Sequence, residues 1–149
     1  MDKTDQKILR ILQADASKPI AEIARLVNLS QTPCWNRIRR MENEGIIKGR
    51  VALVDPRKVG LGLTAFVAVE AVSHSREWTV SFRRLIQSMP EVMESYRMAG
   101  DIDYLLRVVV PDMEAYDNFY NRLIEGAAPK NVTSRFSMEV LSARTVLPF

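Results

Sequence analysis

The sequence predicts an α+β chain, with an N-terminal winged helix-turn-helix domain followed by a C-terminal ferredoxin-like βαββαβ domain. Two observations carry this. Residues 1–45 hold three apolar stripes of helical period, the second and third separated only by Asn28-Leu29-Ser30. From residue 63 onward, runs rich in β-branched residues alternate with helical stripes in the order β-α-β-β-α-β. The domains therefore read as 1–47 for the helix-turn-helix, 48–62 for a wing or linker strand, and 63–149 for the ferredoxin-like part.

The first helix runs from Asp2 to about Ala14. Asp2 can cap it, Asp5 suits its first turn, and Ile8, Leu9, Ile11 and Leu12 form its buried stripe. The second runs from about Pro19 to Val27, preceded by Ser17 or Lys18. Its apolar positions are Ile20, Ile23, Ala24 and Val27, and the small Ala24 admits a neighbouring helix. Asn28 tolerates a left-handed backbone, Leu29 can plug the core, and Ser30 or Thr32 can cap the third helix. Pro33 fits the first turn of that helix, and Gly45 stands where a terminating glycine belongs.

That third helix, QTPCWNRIRRMEN, places Cys34, Ile38 and Met41 at i, i+4 and i+7. Its other faces hold Gln31, Thr32, Trp35, Asn36, Arg37, Arg39 and Arg40. A solvated surface helix with a chance run of arginines is one reading of this pattern. The charge distribution favours another. Of a net +3, residues 1–50 contribute +4 and residues 51–149 contribute −1. A cationic patch confined to a small helical segment points to a polyanion, and a helix-turn-helix sends its second helix into the major groove of double-stranded DNA. Gln31, Thr32, Trp35, Asn36 and Arg39 are then the base-facing set, because Asn and Gln pair with adenine and Arg with guanine, and Ser30 joins them as a DNA-binding residue at the helix start. Arg37 and Arg40 flank it, placed for phosphates. Trp35 misses the apolar stripe. It reads either as a contact to a thymine methyl or a sugar, or as a core aromatic under the wing. Cys34 reads as a small buried apolar residue. The segment IIKGRVALV reads as a β wing, from which Lys48 and Arg50 reach the DNA backbone.

In the second half, LTAFVAVEAV (63–72) reads as a strand and 76–89 as a helix with Trp78, Phe82, Leu85, Ile86 and Met89 on one face. Strands follow at 92–98 and 104–110. Asp112 caps a helix closed by Gly126, and 132–147 is strand-like over most of its length. Both helices fall on one face of the sheet. The other face needs cover, and a second copy of the chain is the simplest cover, so a homodimer is expected.

No apolar run approaches the roughly 20 residues that a membrane-spanning helix needs. The N-terminal stretch lacks a signal-peptide core, and the single cysteine permits no internal disulfide or thiolate cluster. A cytoplasmic location without membrane partners is expected.

Taken together, LVNLSQTPCWNRIRRMENEGII, VALVDPRKVGLG, MAGDIDYLLRVVVPDMEAY and SMEVLSARTVLPF resemble the Lrp/AsnC (feast/famine) family of transcription regulators over essentially the whole chain. The resemblance implies a DNA-binding domain, a linker strand and an effector domain called RAM. It implies dimers that assemble into octamers or other even, disc-like particles. It implies a small effector, commonly an amino acid, held between effector domains, and no cofactor. The turn Gly100-Asp101-Ile102-Asp103 reads from the residues alone as a plain hairpin turn. The resemblance makes it the effector segment, with Asp101 or Asp103 for an ammonium group and Met98, Gly100 and Tyr104 nearby. One departure is GAAPKNV (126–132), which stands where many members carry a tighter Pro-Gly-Val turn.

Catalysis is weighed against this. A branch resembling the family decarboxylates sirohaem, chemistry expected to need several basic and histidine side chains. The sole histidine, His74, lies in a polar turn, and there is no nucleophile-base set, metal spacing or phosphate-cradling loop. The chain reads as a regulator and not an enzyme. An architectural DNA-binding protein without a ligand is the alternative.

Overall fold

The computed structural model describes all 149 residues and resolves into two units, Met1–Leu53 with Leu141–Phe149, and Val54–Val140.

The first unit holds α1 (Lys3–Ala14), α2 (Ile20–Leu26) and α3 (Gln31–Asn43). Asp2 caps α1 in a reciprocal box: its side chain accepts from the Asp5 N–H, and the Asp5 side chain accepts from the Asp2 N–H, both at 2.9 Å. This satisfies two of the N–H groups that every helix start leaves unpaired. Ile8, Leu9, Leu12, Ile23, Ala24, Val27, Cys34, Ile38 and Met41 form one buried cluster, which is the three expected stripes facing each other. Asn28 adopts the left-handed conformation, φ 56°, between α2 and α3. Ser30 is the N-cap of α3, although its hydroxyl makes no capping bond. Gly45, at φ 71°, lets Ile46 and Ile47 donate back to the Met41 carbonyl and closes the helix.

The wing differs from expectation. Residues 46–54 form no strand, and Pro56–Val59 is a 3₁₀ turn capped by Asp55. A strand needs a ladder partner, and this segment has none within the chain. Val51, Leu53 and Val54 consequently stand 81%, 77% and 64% exposed. The closing segment also differs. Its strand stops at Phe136, opposite Ala65, and one further bond, from the Ser137 N–H to the Thr64 carbonyl at 2.9 Å, follows before the chain leaves the sheet. Residues 141–149 instead join the first unit. Thr145 donates to the Gln13 carbonyl at 2.9 Å, and the Leu147 N–H donates to the Gln13 side chain at 2.8 Å. Phe149 packs against the helical core beside the Arg10 guanidinium.

The second unit holds β1 (Leu63–Glu70), α4 (Arg76–Gln87), β2 (Val92–Arg97), β3 (Tyr104–Val110), α5 (Met113–Ala127) and β4 (Asn131–Phe136). The sheet is antiparallel with order β2-β3-β1-β4, the expected ferredoxin-like arrangement. Ala65, Val67 and Val69 of β1 and Leu106, Val108 and Val110 of β3 bury against Phe82 and Ile86 of α4 and Phe119 and Leu123 of α5. Ser75 and Asp112 cap the two helices through their side chains.

Gly126 does not end α5, which continues to Ala127 and is closed by Ala128 in a left-handed conformation, φ 42°. Gly126 serves packing instead: a Cβ there would meet the Leu85 methyl groups at 2.8 Å. The sheet face opposite the helices is less apolar than expected. It carries Phe66, Ala68, Leu105 and Val109, but also the Arg107–Glu94 ion pair at 2.8 Å and Arg135. No helix is long and apolar enough to cross a membrane.

Candidate nucleic-acid interface and effector turn

On α3 the buried stripe fixes which residues face outward. With Cys34, Ile38 and Met41 at 0–2% exposure, Gln31, Thr32, Trp35, Asn36 and Arg39 form an open row at i, i+1, i+4, i+5 and i+8. Trp35 is 47% exposed and therefore not a core aromatic. The Arg39 guanidinium lies 5.7 Å from its ring centroid, a cation–π contact that holds both side chains outward. Arg39 also touches Glu42 at 3.3 Å, an exposed contact of little energetic weight. Burial pushes the Cys34 thiol above its ordinary value, as befits a packing residue.

Arg37 and Arg40 carry ion pairs within the unit. Arg37 reaches Asp2 at 2.7 Å and Asp5 at 2.8 Å, and Arg40 reaches Asp5 at 2.6 Å. Asp5 is 1% exposed, so these arginines anchor α3 to the start of α1 from the flank of the outward row. Burial raises the Asp5 carboxyl, but the Asp2 N–H, the Arg37 hydrogen bond and the Arg40 charge more than reverse this, and its pKa falls below the usual carboxylate value. The Asp5 N–H and then Arg37 lower Asp2 to about 2. The spacing of α3 alone could not reveal this, because the partners lie more than thirty residues away on another helix. Lys48 is exposed. Arg50 is exposed too, but leans on Glu42 at 3.0 Å.

The turn at 98–103 is anchored at its base. Asp103 accepts the Ala71 N–H on its Oδ2 at 2.8 Å, donates its own N–H to the Val69 carbonyl, and accepts the Met98 N–H on its carbonyl. One carboxylate oxygen of Asp103 is thus committed to holding the turn on β1. His74 is 77% exposed and 3.7 Å from the other oxygen. Asp101 is exposed, and Gly100 takes φ 131°, a conformation that side chains disfavour. The Tyr104 ring packs on the helix-covered side of the sheet, 4.6 Å from Phe82 between centroids, and so parts from the other four residues of the set.

Residues 64–147 match the Lrp/AsnC ligand binding domain, and residues 1–48 match a winged helix-turn-helix DNA-binding domain. The chain is 48% identical to the DNA-binding transcriptional activator DecR of Escherichia coli strain K12, over 99% of this chain and 98% of that protein. Among solved structures it is similar to an AsnC family transcriptional regulator from Agrobacterium tumefaciens, with a TM-score of 0.95 and 52% identity over 99% of this chain and 97% of that one. It is also similar to a transcriptional regulator from Neisseria meningitidis solved as a complex with L-Met, with a TM-score of 0.93 and 32% identity over 99% and 96% of the two chains. An outward row of hydrogen-bonding side chains on α3 and a ferredoxin-like domain with a braced turn thus occur together in a chain that belongs to the Lrp/AsnC family of transcription regulators.

Proposed function

We propose that this protein is a cytoplasmic transcription regulator that reads double-stranded DNA with α3 and adjusts that binding to a free amino acid held at the turn 98–103. The outward row Gln31, Thr32, Trp35, Asn36 and Arg39 is the observation that carries the reading. Gln31 and Asn36 offer bidentate partners for adenine, Arg39 for guanine, and Trp35 an apolar edge for a thymine methyl. Lys48 and Arg50 add backbone contacts, whose strength falls with salt.

At the turn, Asp101 offers a carboxylate for the ammonium, and the free Asp103 oxygen offers a second. The backbone around Gly100 offers N–H groups for the ligand carboxylate. The bound L-Met of the Neisseria relative supports an amino acid as the ligand class. The apolar part of the uncovered sheet face supports a homodimer, and the family supports octamers or other even assemblies of it. A ligand placed between subunits shifts such an assembly only as far as its affinities for the two states differ.

The test is anisotropy titration of an operator duplex, obtained by selection from random DNA, with each of the twenty amino acids in turn. At least one should change the affinity several-fold, and Asp101→Ala should abolish that change while leaving basal DNA binding. Operator binding with no response to any amino acid would support the architectural reading. Absence of any preferred sequence would defeat the regulator itself.

A further inference from the structure

The sharpest unassigned feature is a cleft of about 330 Å³ between α4 and the edge strand β2. Its helix wall is the row Thr79, Phe82, Arg83, Ile86 and Gln87, spaced i, i+3, i+4, i+7 and i+8 along one face. Its strand wall comes from Ser95, Tyr96 and Arg97, of which Ser95 and Arg97 alternate onto the helix side opposite Leu106 and Tyr104. β2 is the outermost strand, so nothing in the chain continues the sheet past it to close the cleft.

We propose that this cleft binds a small organic dicarboxylate that carries no ammonium group. Two guanidiniums, from two different elements, line it, and neither forms an ion pair. The acidic residue of the strand itself, Glu94, does not line the cleft and is taken by Arg107 at 2.8 Å and by the hydroxyl of the lining residue Tyr96 at 3.0 Å. No carboxylate lines the cleft. The site therefore has cations for two carboxylates and no carboxylate to pair with an ammonium, the reverse of the turn at 98–103.

The floor is apolar and aromatic. Phe82 is 3% and Ile86 5% exposed, and the Tyr104 ring sits 4.6 Å from Phe82 between centroids, which suits a short methylene chain between the carboxylates. Ser95 and the Gln87 amide add neutral hydrogen-bonding groups at the rim.

The test is calorimetry of the full-length protein with succinate, glutarate and adipate, and with glutamate, which is glutarate plus an ammonium. At least one dicarboxylate should bind saturably at or below about 1 mM. Arg83→Gln and Arg97→Gln should each weaken it about tenfold, while Arg84→Gln, one position off the lining face and equal in charge change, should not. All three side chains are exposed, so the fold is expected to survive, and circular dichroism checks this. Glutamate should bind more weakly than glutarate. The proposal is overturned if no dicarboxylate saturates by about 10 mM, if Arg84→Gln weakens binding as much as the lining variants, or if glutamate matches glutarate.

Discussion

Replacing Asp5 by Asn removes one negative charge from the most buried polar side chain of the protein and leaves its shape. The carboxylate serves three donors: the Asp2 N–H at 2.9 Å, Arg37 at 2.8 Å and Arg40 at 2.6 Å. The Asn oxygen can still accept from Asp2, so the cap survives. The two charge-assisted bonds do not. Each such bond contributes about 1.5–3 kcal/mol. The Arg37 and Arg40 side chains are 30% and 48% exposed and can recover water, which cuts the loss to roughly half. About 2 kcal/mol remains for a unit stabilised mainly by its three-helix core. The assay is native-state hydrogen exchange at the amides of Ile8, Leu9 and Ile38, which report the first unit alone. A loss of about 2 kcal/mol speeds exchange roughly 30-fold there and leaves Val67 and Leu106 unchanged.

The pH dependence has a definite sign. Asp2 and Asp5 have folded pKa values lowered from 3.8, so their stabilisation is present above about pH 4 and is lost at lower pH, for Asp2 as pH falls toward about 2. Wild type should lose first-unit protection across that window, and Asp5→Asn should lose less of it. Equal exchange in wild type and variant at neutral pH would refute the reasoning, since the arginines would then anchor nothing.

Arg40→Ala should destabilise the first unit by about 1–2 kcal/mol in denaturant titration, whereas Arg39→Ala should leave stability within about 0.5 kcal/mol and weaken specific DNA binding by roughly 1–3 kcal/mol. Ala128→Gly should raise the stability of the second unit by about 0.5–1 kcal/mol in urea, because Ala128 holds a left-handed backbone that glycine adopts without strain. Deleting residues 145–149 should cost the first unit about 1–2 kcal/mol, measured by exchange at Leu12, through the lost Phe149 packing and Gln13 hydrogen bonds.

What was legible in the sequence follows from the range of each interaction. Helices α1 to α5 could be read because their apolar stripes and caps are local: Asp2, Ser75 and Asp112 each bond within three residues. β3 was found at its observed bounds, 104–110, since both faces of that strand are largely apolar. The wing could not be read correctly, because Val51, Leu53 and Val54 have strand-forming side chains and no strand beside them. Likewise SMEVLSARTV has strand composition, but its fate depends on contacts with Gln13, more than a hundred residues away, that draw its end to the first unit. At the candidate sites, the outward row on α3 followed from spacing alone. The capture of Arg37 and Arg40 by Asp5 did not, and neither did the use of Asp103 as a brace for Ala71, nor the cleft that Arg83 and Arg97 share across α4 and β2. Each joins residues distant in sequence through tertiary packing.

The central claim is that α3 reads base edges through Gln31, Trp35 and Arg39. The most direct measurement compares wild type with the triple alanine variant at these positions, on a selected operator and on a scrambled duplex of equal length, across a salt series. All three side chains are exposed, so exchange at Ile8 and Ile38 should confirm an intact first unit. The predicted result is that operator affinity falls to the scrambled value while binding to scrambled DNA retains most of its salt dependence, carried by cations such as Lys48. An undiminished preference for the operator in the folded triple variant would contradict the account.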